Sequence, residues 1–130
     1  KAAIPTLISQ MMFEDPLYHV FIGFVAILGH TFSVFVNFKG GKGVAPSLGV
    51  IAALNPLVFL IVFPLGVALI AKFKYVAPVS IGGSLLVPFL MWILNDPIQY
   101  IIPMAIVSVF IVFKHRSNIE RLLKGVENKL

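Results

Sequence analysis

Five apolar runs, separated by short polar breaks, leave this chain few ways to fold. They are Ala2 to Phe13, Leu17 to Val36, Val44 to Ala71, Val76 to Leu94 and Ile98 to Phe113. A helix needs about 20 predominantly apolar residues to cross a bilayer. The first run has only 12, so it reads as the end of a longer helix. The second, interrupted by His19, Gly29, His30 and Thr31, is a full-length candidate crossing, and its Gly23 permits close helix contact. Charged residues make up 12% of the chain and hydrophobic ones 59%, whereas a soluble domain is about a quarter charged. The expected architecture is therefore a single all-α domain, a polytopic helical membrane protein over residues 1–130. With no cysteine, disulfides, thiolate ligands and a cysteine nucleophile are excluded. The chain opens on Lys1 and an apolar run with no signal-peptide pattern, so sequence preceding Lys1 is expected.

Charge placement sets the topology. Basic residues cluster at Lys39/Lys42, Lys72/Lys74 and Lys114 to Lys129, while Glu14, Asp15 and Asp96 lie in other breaks. Basic residues in short loops should share the cytoplasmic side. If Val44 to Ala71 were one straight helix, it would put its two flanking clusters on opposite sides. A bend at Asn55-Pro56, into arms about 16 and 24 Å long at 1.5 Å per residue, returns both to one face. The first arm is short for a crossing, so the expected feature is a partly re-entrant hairpin whose freed backbone groups are covered by neighbouring helices. The net charge of +5, sorted to one face, suits anionic headgroups or phosphorylated substrates. Nucleic acid is an unsuitable partner, because the basic residues sit at the ends of apolar spans.

One break is chemically distinctive. Phe38-Lys39-Gly40-Gly41-Lys42-Gly43-Val44 packs three glycines and two lysines into five positions before an apolar helix. Glycines at 40, 41 and 43 allow positive φ and let successive amides converge on an anion, with the helix dipole behind them. It is not a Walker A loop, because Gly43 stands where Ser or Thr is needed. The alternatives are a phosphate cradle or a flexible basic loop touching lipid headgroups.

The tail from Lys114 to Gly125 reads as a short helix on the membrane surface. Ser117 and Glu120 match a capping box, Glu120 can pair with Arg116 or Lys124, and Gly125 suits a helix stop. His115 and Asn118 share one face and could point at a ligand; equally, His115 could be a solvated juxtamembrane residue. His30 could be a bundle histidine bonded to a neighbouring helix. His19, His30 and His115 lack the spacing of a metal site, and no Ser-His-Asp triad assembles.

Gly29-His30-x-Phe32, Phe38-Lys39-Gly40-Gly41-Lys42-Gly43-Val44-Ala45, Tyr75-Val76-x-x-x-Ser80-Ile81 and His115-Arg116-x-Asn118-Ile119-x-Arg121-Leu122-Leu123-x-Gly125-x-Glu127-Asn128-Lys129 together resemble the PlsY family of bacterial acyl-phosphate:glycerol-3-phosphate acyltransferases. The resemblance implies a compact helical protein of the inner membrane with its active site at the cytoplasmic face. Its partners are acyl phosphate, glycerol 3-phosphate and the bilayer, and it needs no cofactor. It also implies transfer of an acyl chain to the 1-hydroxyl of glycerol 3-phosphate, giving lysophosphatidic acid and phosphate in phospholipid synthesis.

Residue by residue, the resemblance makes Gly40, Gly41, Lys42 and Gly43 the phosphate loop, with Lys39 and Lys42 holding substrate phosphates. His115 and Asn118 serve in the active site beside Arg116, Ser80 adds a hydroxyl to the phosphate site, and Glu127 holds the tail. Ser33, Pro46 and Val126 depart from the family pattern. The family's first two membrane segments, and the cytoplasmic motif with Gly-Ser-Gly-Asn and Gly-Ala-Thr-Asn, do not occur in these residues. An inactive truncated remnant and a small permease or helper subunit are the competing readings.

Overall fold

The computed structural model describes residues 1–32 and 42–130. Among them the chain forms seven helices and no strand: α1 (Ala3–Met12), α2 (Pro16–Thr31), α3 (Val44–Leu54), α4 (Pro56–Phe73), α5 (Val76–Ile93), α6 (Ile98–Lys114) and α7 (Arg116–Leu123). Helices α4 and α5 have 18 residues each and are apolar enough to cross a membrane, about 27 Å at 1.5 Å per residue. Helix α6, with 17 apolar-rich residues, is one short of that length, and the polar α7 turns away from it by 56° at His115. Large apolar side chains such as Phe21, Leu60, Phe89, Trp92 and Ile106 are exposed, as they must be when lipid surrounds the bundle. The buried core lies between α2, α3, α5 and α6, centred on Ile27, Val50, Val87, Met91, Val107 and Ile111.

The expected bend falls at Asn55. This residue is extended (φ −145°, ψ 91°), its side chain caps α4 by accepting from the Val58 amide at 3.0 Å, and Pro56 occupies the first helical position, where its missing N–H costs nothing. Val44, Ser47 and Ile51 of α3 face the same cleft as Ile70, Val67 and Phe63 of α4, so the two arms run back along each other as a hairpin. A similar cap starts α2, where Asp15 accepts from the Leu17 amide at 2.9 Å ahead of Pro16. Gly23 brings α2 against α3, since a Cβ there would lie 2.8 Å from Val50 Cγ1.

The hairpin sorts charge as expected. The Leu130 amide donates to the Lys74 carbonyl at 2.8 Å, and Lys129 Nζ lies 5.4 Å from the centre of the Tyr75 ring, so the α4–α5 turn and the tail share one end. Lys42 joins them there through α7. At the opposite end Asn55 Nδ2 donates to Asp96 at 2.6 Å, and the buried His19 bridges Tyr100 Oη (2.8 Å) and the Phe13 carbonyl (2.7 Å). The bundle thus has a basic end and an acidic end.

One local expectation fails. The Ser117/Glu120 capping box does not form: His115 precedes α7 without any side-chain cap, and Ser117 lies inside the helix. Helix α6 runs almost directly into α7, and the His115 carbonyl already accepts from the Asn118 and Ile119 amides at 2.9 Å each. Glu120 pairs instead with Lys124 at 2.7 Å. The Gly125 stop does form. Gly125 has φ +70°, its amide donates to the Leu122 carbonyl and that of Val126 to the Arg121 carbonyl, the two bonds of a Schellman motif.

Candidate active site

Gly43 opens the site. Its φ of +88° lies in the left-handed region that a Cβ disfavours, and it turns the chain into α3. The Ser47 hydroxyl returns to the Gly43 carbonyl at 2.5 Å, and Pro46, in the first turn, is buried without disturbing the helix. Helix starts leave their first amides without intrahelical partners. Those of Gly43, Val44 and Ala45 therefore face the basic end, where the dipole favours an anion.

Lys42, just before this turn, donates through Nζ to Asn118 Oδ1 of α7. Asn118 is buried, and its Nδ2 donates to Glu127 Oε1 at 2.5 Å. Glu127 Oε2 in turn accepts from Arg121 Nε at 2.8 Å. The amide of Asn118 is thus oriented from both sides, oxygen toward the lysine and nitrogen toward the carboxylate. These bonds, the one from Asn118 first and those from Arg121 after it, hold the Glu127 carboxyl below its ordinary range.

His115 is buried at the α6–α7 bend, and its Nδ1 lies 2.8 Å from the Ile111 carbonyl. A carbonyl only accepts, so Nδ1 carries the proton and Nε2 of the neutral ring is left as an acceptor. Burial lowers the pKa of this ring below 6.5, and the nearby Lys42 charge lowers it further. The neutral form is favoured.

Below these groups lies an apolar cleft of about 130 Å³ between α3, α4, α5 and α6. It extends from Val44 and Ile111 at the basic end to Val87 and Met104. Ser80 lines it beside Ser47 and Ser84, outside the Lys42–Asn118–Glu127 chain of bonds. Arg116 is exposed and turns to its own helix end, with Nη1 3.5 Å from the Phe113 carbonyl and the guanidinium 4.7 Å from the Phe113 ring centre.

The sequence-predicted residues therefore divide. Lys42, Gly43, His115, Asn118 and Glu127 come together, while Ser80 and Arg116 stand at the margin. Lys39, Gly40, Gly41 and the departure at Ser33 lie outside the described residues. His30 is exposed in the last turn of α2, and the histidine buried in that helix is His19. Sequence reasoning also missed Arg121 as the second partner of Glu127. The reversal at Gly125, which folds the tail back over α7, was the available signal.

A helical bundle with lipid-facing sides and a polar site at one set of helix ends defines an integral membrane protein. The family model described as glycerol-3-phosphate acyltransferase matches residues 1–125, and the chain belongs to that family. It is 43% identical over 132 residues to the glycerol-3-phosphate acyltransferase of Fusobacterium nucleatum (99% of this chain, 66% of the relative). With that of Geotalea daltonii it shares 38% over 128 residues (98% and 66%). Among solved structures it matches PlsY, an integral membrane glycerol 3-phosphate acyltransferase, in two forms. The lysophosphatidic acid form gives a TM-score of 0.93 at 34% identity, over 99% of this chain and 66% of that one. The glycerol 3-phosphate form gives 0.91 at 34%, over 98% and 64%. The chain thus spans just under two thirds of the length of these relatives.

Proposed function

We propose that this chain carries the phosphate-binding and acyl-holding part of an acyltransferase that moves a fatty acyl group from acyl phosphate to the 1-hydroxyl of glycerol 3-phosphate. Lysophosphatidic acid and inorganic phosphate are the products. The observation that carries the reading is the Lys42–Asn118 bond, which joins residues 76 positions apart at the start of α3. Two phosphorylated substrates repel one another. A lysine, a helix N-terminus and oriented amides at one spot offset that repulsion and position the reacting groups.

Phosphate is a good leaving group, so no covalent enzyme intermediate is required. The hydroxyl oxygen forms the new ester bond, the carbonyl–phosphate bond breaks, and the hydroxyl proton must be taken up. Neutral His115, with Nδ1–H committed to the Ile111 carbonyl, offers Nε2 as that acceptor. Acting instead as a phosphate donor would require a second ring proton, which burial opposes. The acyl chain enters the cleft below, keeping its tail among apolar side chains while the phosphate stays at the basic end. By the distribution of lysine and arginine that end faces the cytoplasm, in the inner membrane of a bacterium.

The family's first cytoplasmic motif lies outside these residues, so the test uses the full reading frame that contains them. In detergent, with hexadecanoyl phosphate and glycerol 3-phosphate, lysophosphatidic acid should form. Replacing His115 by Gln should lower turnover by about 10²- to 10⁴-fold, the range of general-base catalysis. Undiminished turnover would assign the proton to a substrate phosphate instead.

A further inference from the structure

The segment that carries Glu127 into the site has no regular structure and no buried apolar side chain. Residues 126–130 follow the Gly125 stop without forming a helix or strand, and Val126, Asn128, Lys129 and Leu130 are all exposed. Glu127 alone turns inward, to Asn118 and Arg121. Ordering each residue of such a segment costs conformational entropy, and burial does not offset that cost here. Contacts at the two ends of the segment must do so.

We propose that Tyr75, at the α4–α5 turn, is a positioning residue for the reaction: with the Lys74 carbonyl it anchors the far end of this segment and so keeps Glu127 oriented against Asn118. The inference rests on the acyltransferase reading and adds to it a residue outside the Lys42–Asn118–Glu127 chain of bonds. The near end of the segment is fixed by the Schellman turn, in which the Val126 amide donates to the Arg121 carbonyl at 2.9 Å. Glu127 is therefore one residue from a fixed point, and Asn128 to Leu130 are free to swing unless something beyond them is tied.

The α4–α5 turn supplies that tie. Lys74 has φ +63°, a left-handed conformation that a Cβ disfavours, and its carbonyl accepts from the Leu130 amide at 2.8 Å. Tyr75 is extended (φ −111°, ψ 120°) as the chain enters α5. Its half-buried ring has Lys129 Nζ 5.4 Å from its centre, within the roughly 6 Å at which a ring face attracts an ammonium. Among the described residues Lys129 has no carboxylate partner, since Glu120 and Glu127 pair with Lys124 and Arg121. The ring is what holds it. A carboxylate gains most from full hydration, so a segment without this anchor would carry Glu127 toward water. Asn118 would then lose the acceptor that orients its nitrogen, and its amide would be free to turn away from Lys42.

The test removes both anchors in the full reading frame. Tyr75→Ala with Leu130→Pro, which deletes the amide donor, should lower kcat/KM for glycerol 3-phosphate by about tenfold or more, the worth of one cation–π contact and one hydrogen bond together. Lys129→Met, a change in the exposed tail that puts no fold at risk, should lower it by about two- to fivefold. Tyr75→Phe keeps the ring and should match the wild type. In a Glu127→Ala background the anchor substitutions should cost less than about twofold more, because the residue they hold is already gone. The Glu127 charge raises the pKa of His115, so releasing the segment should also move the acid limb of kcat/KM to lower pH, which a merely structural role would not do. Undiminished turnover, an unmoved acid limb, or an equal loss in the Glu127→Ala background would overturn the proposal. These residues hold no cysteine, so a spin label on Asn128→Cys reads the segment without turnover: restricted with the anchors, mobile without them. Equal mobility in the two forms would overturn the anchor. A wild-type protein that forms no lysophosphatidic acid would defeat the acyltransferase reading and with it the positioning role, while the label would still show whether Tyr75 ties the segment down.

Discussion

The two ends of the bundle use the same residue types to opposite effect. At the acidic end Asn55 caps α4 with its oxygen and donates to Asp96 with its nitrogen; at the basic end Asn118 accepts from Lys42 and donates to Glu127. Each end also buries a histidine. Both ring nitrogens of His19 are occupied, by the Phe13 carbonyl and Tyr100 Oη. For His115 the Ile111 carbonyl occupies Nδ1, and no described residue bonds Nε2. A saturated polar cluster can only hold helices together. An unsaturated one, beside an exposed lysine and a helix start, retains capacity for a ligand.

Paired substitutions test this contrast. The largest difference should be between the histidines. His115→Gln removes the free acceptor and should cost the two to four decades given above. His19→Gln should leave turnover nearly unchanged but lower unfolding stability by about 1–3 kcal/mol, the cost of an unsatisfied buried polar group, read by denaturant titration in detergent. Next is Lys42→Met, expected to reduce kcat/KM by at least about 10²-fold, as for loss of one preorganised charge-stabilising group. Its counterpart Asn55→Ala should change stability and spare kcat/KM.

The pH dependence should follow His115. With its pKa pushed below 6.5 by burial and by Lys42, the neutral, proton-accepting form dominates at neutral pH. The kcat/KM should rise with a midpoint below 6.5 and then level off. The same depressed pKa gives a stability contribution that is complete above the unfolded value of about 6.5 and lost as pH falls through the folded one. Both effects should vanish in His115→Gln. The smallest effects on activity belong to packing glycines remote from the polar clusters. Gly23→Ala forces a methyl group against Val50 and should destabilise by about 1–3 kcal/mol, with no change in pH profile.

Much of this arrangement was legible because its causes are local. Asn55-Pro56 carries its own cap and its own first-turn proline, so the hairpin could be placed from two adjacent letters. The sorting of lysines then followed from it. Gly125 likewise announces a helix stop wherever it sits. What escaped notice depends on distance. His19 gains its role from Tyr100, 81 positions away, and in sequence it is one polar residue in an apolar run. Arg121 meets Glu127 only because the Schellman turn reverses the tail. The capping box at Ser117 failed for a related reason: its local pattern is sound, but the preceding helix had already supplied the carbonyl that such a start requires.

The most direct test of the central claim, that the start of α3 and α7 act as one phosphate site, is a double-mutant cycle on Lys42→Met and Asn118→Ala. It is read as kcat/KM for glycerol 3-phosphate in the full reading frame. Residues in one hydrogen-bonded network should be coupled by about 0.5–3 kcal/mol, so the double variant should be little worse than the poorer single one. Strict additivity would mean that the two residues serve separate purposes, and would contradict the account.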